Sequence, residues 1–260
     1  MLQRRNKKAD RPSLFWLLTE TGRAVTELGL NYTYQWWNAP ERSGDGHPVL
    51  VLPGFLASAY STVMLRNFLK RIGYQAYDWE IGRNYGKVEY LDRLLQQVDA
   101  LHAEHGRRIS LVGWSLGGVY AREIAKRRPQ IIRQVITMGS PFQGVKEANN
   151  ASWMHELIKL ARQTGKEAEE AFMNEIPKPA PVPTTAIYSK EDGVVPWRLC
   201  MEKVEDAWHQ NIQVRSSHLG FGLNPSVYNI IADRLQYEPE TWLHFEPASA
   251  FQDWVFYPSL

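Results

Sequence analysis

Short apolar runs alternate with longer amphipathic segments between residues 48 and 141, and this alternation constrains the fold more than any other feature. Four runs have the length and composition of buried parallel strands: "VLVLPG", "YQAYDWEI", "ISLVGW" and "IRQVITMGSP". The segments between them, such as "VEYLDRLLQQVDALHAEHG", repeat apolar residues at helical spacing. Strands that alternate with helices predict an α/β fold with a mainly parallel central sheet and helices on both faces.

The carboxyl-terminal part continues this pattern after an interruption. "TTAIYS" and "NIQVRSS" are predicted strands, and "PSVYNIIADRLQ" is a predicted closing helix. Residues 142–181 break the alternation with a helical piece, "WMHELIKLARQTG", and the proline-rich "IPKPAPVP". We predict that this insertion forms a small helical cap over the carboxyl ends of the strands; a surface excursion packed on its own residues is the alternative. The predicted α/β domain covers residues 47–260, cap included.

Residues 1–46 form a predicted amino-terminal arm. Ser13 can cap a helix to about Leu28, with an apolar face made of Leu14, Leu18, Thr21, Val25 and Leu28. Five basic residues precede it: Arg4, Arg5, Lys7, Lys8 and Arg11. A basic start before an amphipathic helix suits contact of residues 1–28 with an anionic membrane surface. We favour the alternative, in which the helix packs on the domain and covers apolar surface, because Glu20 and Glu27 oppose membrane binding.

The stretch "LVGWSLGG" sets Ser115 directly after a predicted strand and directly before a predicted helix. A turn this sharp needs small neighbours, which Gly113 and Gly117 provide, and it exposes the serine above the sheet. The helix amino terminus beneath the serine favours developing negative charge. The pattern predicts a nucleophile at Ser115, and a serine that only begins the helix is the alternative.

A serine nucleophile needs a base, and the base needs a carboxylate that orients it. After a strand–turn–helix nucleophile these partners follow in the order acid, then histidine. Only His218, in "VRSSHLGFG", lies in a loop after a predicted strand, since His209 ends a predicted helix and His244 lies in the tail. "SKEDG" offers Glu191 and Asp192, and we favour Asp192 because it precedes a glycine and has the shorter side chain.

Two backbone N–H groups are expected to stabilise the oxyanion of a tetrahedral intermediate. One belongs to Leu116, which follows the nucleophile. The other is assigned to Phe55 in "LPGFLAS", the loop after the first buried strand. A plain strand-ending turn is the alternative interpretation of "LPG".

Other chemistries find little support in the composition. A net charge of +2 argues against nucleic-acid binding. "HELIK" and "HAEH" lack the spacing of a zinc helix, and no complete nucleotide-binding motif occurs, so we expect neither metal nor cofactor. The single cysteine, Cys200, suits a structural role and a reducing compartment. No apolar stretch reaches the ~20 residues of a membrane span, and we expect a cytoplasmic protein.

Five motifs, in this order, resemble the α/β-hydrolase superfamily and its bacterial esterase/lipase branch in particular: "HPVLVLPGFLAS", "GWSLGG", "VITMGSPFQG", "AIYSKEDGVVPW" and "SSHLGFGLNP". The resemblance covers about residues 47 to 236. It implies the α/β-hydrolase fold and ester hydrolysis through an acyl-enzyme, with Ser115, Asp192 and His218 as the triad. Trp114 stands where histidine is frequent in lipases, and it is expected to crowd the acyl pocket.

We therefore expect a serine hydrolase that cleaves carboxylic esters with an apolar acyl group, small-molecule or lipid-like, without a cofactor. The candidate substrate-binding residues are Trp114, Phe142, Trp153, Leu157 and Trp197. An acyltransferase or a thioesterase with the same triad is the alternative within enzymes. A catalytically silent binding protein on this fold is the alternative from another class.

Overall fold

The computed structural model describes residues 12–37, 44–87, 89–143, 174–247 and 257–258, with the backbone alone for residues 34–37. The strands in these ranges are β1 (Pro48–Leu52), β2 (Gln75–Asp78), β3 (Ile109–Trp114), β4 (Ile132–Met138), β5 (Thr184–Tyr188) and β6 (His209–Gln213). They form one sheet in the order β2-β1-β3-β4-β5-β6, and every neighbouring pair is parallel. The prediction of a mainly parallel sheet is confirmed.

The helices flank this sheet. They are α1 (Leu14–Trp37), α2 (Val63–Arg71), α3 (Tyr90–His105), α4 (Leu116–Arg127) and α5 (Pro225–Arg234). Short 3₁₀ helices span Ala59–Thr62, Trp197–Cys200 and Pro239–Thr241.

Two apolar layers hold the sheet between its helices. Successive strand residues point to opposite faces, so Leu50 and Leu52 of β1 pack with α3 and α4. Val49 and Val51 pack with α2 and α5 on the other face. All five residues of β1 are buried, which explains why the strand is apolar throughout instead of alternating with polar residues. The prediction of helices on both faces is confirmed as well.

The strand order creates a crevice at one point of the sheet. β1 pairs with β2 on one side and with β3 on the other. After β1 the chain enters α2 on one face, and after β3 it enters α4 on the opposite face. The loops after these two strands therefore diverge, and open parallel sheets bind ligands in such a crevice. Ser115 and the loop 53–57 both lie there.

The first helix is longer than predicted. α1 does not end near Leu28, because "NYTYQWW" continues it without a break to Trp37. None of the helices in the described ranges combines the length and the apolar character of a membrane span.

The helix α1 also packs on the domain with an unexpected face. Its buried residues are Glu20, Ala24, Glu27 and Asn31. The face predicted to cover apolar surface points outward instead, with Leu14 74% and Leu18 83% exposed. The expected docking of the apolar face is wrong. The loops beneath α1 present backbone N–H groups, which carboxylates can accept from and leucine side chains cannot.

The segment before β6 differs from its prediction too. Residues 201–208 contain no helix, and β6 begins at His209, which the sequence pattern assigned to a helix end. Asp206 and His209 form an antiparallel bridge, and Oε1 of Glu205 accepts a hydrogen bond from the Asn211 N–H at 2.7 Å. These contacts fold the segment back as a turn against the edge strand.

Most of the predicted cap, residues 144–173, lies outside the described residues, so the cap and the boundary at residue 46 stay predictions. The returning chain packs on α4. Nζ of Lys126 donates to the Ile176 carbonyl at 3.2 Å, and Nη2 of Arg122 donates to the Lys178 carbonyl at 2.9 Å. Both ends of the insertion therefore lie on the α4 side of the sheet, because Phe142 belongs to the same apolar layer.

A glycine substitution tests how closely α4 approaches the sheet. A Cβ at position 117 would lie 2.3 Å from the Leu52 carbonyl oxygen of β1, whereas one at Gly22 on α1 would meet nothing within 4 Å. We expect Gly117→Ala to lower the free energy of unfolding by about 1–3 kcal/mol, because backbone must move. The control Gly22→Ala should raise it by ~0.5–1 kcal/mol. Urea unfolding measures both, and equal effects would contradict the tight approach.

Candidate active site

The turn between β3 and α4 holds Ser115 in a rarely populated backbone conformation, with φ 53° and ψ −122°. L-residues adopt this region at a cost of about 1–3 kcal/mol, and such strain concentrates at functional sites. The Ser115 N–H donates to the Met138 carbonyl at 2.8 Å, which ties the turn to β4. A Cβ on Gly113 would lie 2.4 Å from the Gly118 Cα, so the strand and the helix meet at van der Waals contact. The serine side chain is thereby directed away from the sheet at its carboxyl edge.

His218 and Asp192 meet Ser115 from the loops after β6 and β5. Nε2 of His218 lies 3.1 Å from the Ser115 Oγ, and Nδ1 lies 2.6 Å from the Asp192 Oδ2. A carboxylate only accepts hydrogen bonds, so Nδ1 carries the proton and Nε2 presents its lone pair to the serine hydroxyl. Oδ1 of Asp192 accepts from the N–H groups of Val194 and Val195, at 2.8 and 2.7 Å, which fixes the carboxylate. The three side chains can pass one proton between serine and imidazole.

The charges around His218 raise its pKa above that of an ordinary histidine. Burial lowers the pKa of His218, but the negative charge of Asp192, its hydrogen bond and the charge of Glu20 outweigh burial. The net pKa of His218 is raised above its ordinary value. The pair therefore stabilises the imidazolium that forms when the serine loses its proton.

The other candidates for acid and base lie elsewhere. Glu191 is paired with Arg215 at 3.5 Å and does not reach the imidazole. His209 bonds Asp206 and the Ala180 carbonyl. His244 bonds the Asp206 carbonyl at 2.7 Å.

Cys200, interpreted from sequence as structural, is buried. Burial, followed by the charge of Asp192, raises the pKa of its thiol well above the ordinary value. The reactive thiolate is therefore disfavoured at this position.

The two predicted oxyanion donors flank Ser115. Leu116 is the first residue of α4, where N–H groups have no partner within the helix. A Cβ on Gly54 would lie 3.3 Å from the Ser115 Cβ, so the loop that carries Phe55 passes directly over the nucleophile turn. The two backbone amides are thus carried by segments on either side of the serine.

Asn84, a residue that the sequence analysis missed, braces this loop. Its Nδ2 donates to the Pro53 carbonyl at 2.8 Å, and its carbonyl accepts from the Leu56 N–H at 2.7 Å. Its own N–H donates to the Ala57 carbonyl at 2.8 Å. The only signal in the sequence is a polar residue between glycines in "GRNYG", which is typical of any loop. Asn84 is fully buried, and its hydrogen bonds stabilise the loop that carries Phe55.

The described substrate-binding candidates contact protein groups. Trp114 donates from Nε1 to the His218 carbonyl at 3.0 Å, so it supports the loop after β6 that carries His218, here called the base loop. Trp197 stacks on Tyr188 with ring centroids 5.6 Å apart. Phe142 is fully buried beneath the Arg122 guanidinium, 3.8 Å from the ring centroid, and it exposes no surface to a ligand. The ring belongs to the apolar layer under α4, and its predicted role in substrate binding stays a prediction.

Trp153 and Leu157, the two remaining candidates, lie outside the described residues. Their role in binding an acyl chain stays a prediction, as does that of Trp114 and Trp197.

A second Asp–His–Ser constellation lies at the other end of the strands, where β1 and β3 begin. Nδ1 of His47 is 2.6 Å from the Asp45 Oδ1, and Nε2 is 2.8 Å from the Ser110 Oγ. Burial and the charge of Arg133 lower the pKa of His47 to about 4, despite Asp45. Ser110 lies within strand β3 and is fully buried. This constellation stabilises the amino ends of β1 and β3.

In the part of the chain that the structure describes, no group of three or more histidine, cysteine, aspartate and glutamate side chains could hold a metal ion.

The parallel sheet and its nucleophile turn define an α/β hydrolase of the serine type. The fold is similar to that of a monoacylglycerol lipase from Paleococcus ferrophilus, with a TM-score of 0.54, 14% identity, and 73% of this chain and 93% of that chain covered. It is also similar to a chain from a structure that describes the metagenome-derived lipolytic enzymes LipS and LipT, with a TM-score of 0.55, 16% identity, and 74% and 93% covered. These identities support the fold alone.

The chain belongs to the palmitoyl protein thioesterase family, whose model matches residues 48–190. The match covers more than half of the chain and includes Ser115, and it ends just before Asp192. The serine hydrolase BPHL of Homo sapiens is 30% identical over 133 residues, which cover 46% of this chain and 43% of that protein. The Mus musculus protein is 28% identical over 156 residues, covering 51% and 50%. The chain therefore spans half or less of these curated relatives.

The two constellations predict different histidine titrations. We expect the His218 imidazole to titrate above the ordinary 6.5, and His47 near 4. Asp192→Asn removes the charge that stabilises the His218 cation, so the His218 pKa should fall while that of His47 stays unchanged. NMR titration of the imidazole resonances measures both values. A His218 pKa that does not respond to Asp192→Asn would contradict the described pair.

Proposed function

We propose that the protein hydrolyses carboxylic esters with an apolar acyl group through an acyl-enzyme on Ser115. The observation that carries the proposal is the hydrogen-bonded series from Ser115 through His218 to Asp192, at the carboxyl edge of the sheet. The strained serine backbone and the helix amino terminus at Leu116 support the same assignment.

In the first half of the reaction, the Ser115 Oγ attacks the acyl carbonyl carbon and its proton passes to Nε2 of His218. The carbonyl oxygen becomes an oxyanion, and the N–H groups of Phe55 and Leu116 donate hydrogen bonds to it. His218 then gives its proton to the departing alcohol oxygen as the carbon–oxygen bond breaks. Asp192 keeps the imidazole in the required tautomer and stabilises its cation throughout.

In the second half, water attacks the acyl carbon of the ester on Ser115, and His218 takes the proton of the water. Collapse of this second intermediate breaks the bond to Oγ, and His218 returns the proton to the serine. The products are a carboxylic acid and the free enzyme, so no cofactor takes part.

Thioester hydrolysis is the second candidate, and the match to the palmitoyl protein thioesterase family favours it. The same residues would act, with a thiol as the leaving group. A thiol, with a pKa of about 8.5, leaves with less help from a general acid than an alcohol does. Oxygen esters and thioesters with matched acyl chains of increasing length would separate the two by kcat/KM. Added alcohol as a competing acceptor would reveal acyl transfer.

Substitution of the serine of each constellation, Ser115 and Ser110, tests the assignment of the nucleophile. We expect Ser115→Ala to lower kcat by about 10⁴-fold or more and to abolish labelling by a fluorophosphonate probe, because the attacking oxygen is lost. The matched control Ser110→Ala removes the serine of the other constellation and should keep both labelling and turnover. Labelling that persists in Ser115→Ala would contradict the proposal, and absence of labelling in the wild type would favour a silent binding protein.

A further inference from the structure

The amino-terminal helix reaches the catalytic loops through one carboxylate. Oε1 of Glu20 accepts hydrogen bonds from the Gly193 N–H at 2.8 Å and from the His218 N–H at 3.0 Å. Oε2 accepts from the Leu219 N–H at 3.1 Å. Gly193 directly follows Asp192, so a single side chain of α1 binds two loops. One is the loop after β5 that carries Asp192, here called the acid loop, and the other is the base loop with His218.

The helix is held at this place by its own contacts. Nη2 of Arg23 donates to the Glu20 Oε1 at 3.0 Å and orients the carboxylate from the helix side. A Cβ on Gly193 would lie 2.4 Å from the Leu17 backbone nitrogen, so the acid loop touches the backbone of α1. Further along, Nδ2 of Asn31 donates to the Leu223 carbonyl at 2.6 Å. The helix is therefore anchored at both ends of its buried face.

Glu27, two turns further along α1, offers a comparison within the same helix. Its Oε1 accepts from the Ser217 N–H at 2.7 Å and its Oε2 from the Ser217 hydroxyl at 2.9 Å. Burial raises the pKa of Glu27 to about 7. The hydrogen bonds of Glu27 reach Ser217, in the base loop, so of these two glutamates only Glu20 bonds both the base loop and the acid loop.

We propose that Glu20 is a positioning residue that fixes the Asp192 and His218 loops relative to each other. The two loops leave the sheet at neighbouring strands, and the carboxylate bonds the backbone of both. Catalytic groups must be held within about 0.5 Å of their productive geometry, and misplacement by 1 Å can lower a rate by about 10²-fold. The effect on turnover rests on the proposed function; the effect on the geometry does not.

The charge of Glu20 also acts on the pKa of His218, and this effect can be measured separately from stability. The charged groups that face His218 are Asp192 from the acid loop and Glu20 from α1, with Arg23 paired to Glu20. The Ser115 hydroxyl and the rings of Trp114 and Phe221 also lie beside it and carry no charge, and the Glu27 carboxylate binds the adjacent Ser217. Neutralising Glu20 should therefore move the His218 titration to lower pH.

The test compares Glu20→Ala, Glu20→Gln and the control Glu27→Gln in the full chain. We expect Glu20→Ala to lower kcat about 10- to 100-fold with little change in KM, because the triad is displaced while the acyl site is untouched. Glu20→Gln keeps one acceptor oxygen and should recover part of kcat, while the acid limb of kcat/KM and the NMR titration of His218 both move to lower pH. Glu27→Gln should leave that titration in place.

Unchanged kcat and unchanged His218 titration in both Glu20 variants would overturn the proposal and leave Glu20 as an anchor of α1 only. If the alanine variant does not fold, the glutamine variant decides through its His218 titration. That titration needs no substrate. If the fluorophosphonate fails to label the wild type, the proposed function is refuted, but the inference that Glu20 positions the two loops still stands.

A different observation, the outer face of α1, carries a second inference. The exposed apolar residues of the helix are Leu14, Phe15, Leu17, Leu18, Val25, Leu30 and Tyr32. Between positions 14 and 33 the charged residues are Glu20, Arg23 and Glu27, and all three bond groups on the inner side or within the helix. The glutamates that would oppose a membrane surface are therefore turned away from this face.

We also propose that this face binds an anionic lipid surface. The basic residues Arg4, Arg5, Lys7, Lys8 and Arg11 directly precede the helix in sequence and complement anionic headgroups. Contacts of the Leu17 backbone with Gly193 put the apolar face beside the acid loop. A lipid surface bound there would lie beside the loop that carries Asp192.

Sedimentation with vesicles tests this proposal. The wild type should bind vesicles of phosphatidylcholine mixed with phosphatidylglycerol more than phosphatidylcholine alone, and Leu18→Glu should lose most of that binding. Val204→Glu, which places the same charge on an exposed apolar residue outside α1, is the control and should retain it. The proposal fails if the wild type binds neither vesicle. It also fails if Leu18→Glu instead dissociates a dimer in analytical ultracentrifugation, which would assign the face to a second copy.

Discussion

The close approach of α4 to β1 and β3 is the contact on which the candidate site depends. Gly117 brings the first turn of α4 against the Leu52 carbonyl, and Gly113 brings the strand against Gly118. A side chain at either position would push the helix away and carry the Leu116 amide with it. The strain at Ser115, about 1–3 kcal/mol, persists because α4 is buried from Leu116 to Ala125 against the sheet. Packing that lies beneath the turn therefore supports the geometry above it.

The sheet and the three candidate catalytic residues could be predicted from sequence because their signals are local. The central strands β1 and β3 are buried on both faces, so "VLVL" is apolar without interruption and "ISLV" carries a single polar residue, Ser110. Ser115 lies between glycines that a sharp turn requires, and the order of acid and histidine follows from the fold. The choice of Asp192 over Glu191 agrees with the geometry, since only the aspartate reaches the imidazole. Its catalytic role stays a proposal.

Residue types and distances do not by themselves separate a site from a structural network. The Ser110–His47 distance, 2.8 Å, is shorter than the Ser115–His218 distance, 3.1 Å. The difference lies in the surroundings. Ser110 lies inside strand β3 near its amino-terminal end, while Ser115 has a strained backbone and a helix amino terminus at the carboxyl end of the same strand. Sequence patterns that include the flanking strand and helix capture this difference, whereas a search for nearby Ser, His and Asp would not.

The orientation of α1 could not be predicted because two burial demands of similar size compete. Burying a leucine or a valine contributes about 1.5–3 kcal/mol, and a buried N–H group left without an acceptor costs about 1–3 kcal/mol. The amphipathic pattern of the helix shows only the first demand. The second arises from N–H groups of Gly193, Ser217 and His218, which lie more than 150 residues away in sequence. Glu20 and Glu27, which accept hydrogen bonds from these N–H groups, face inward for that reason. The apolar stripe of α1 therefore stays exposed, where an outside partner can bind it.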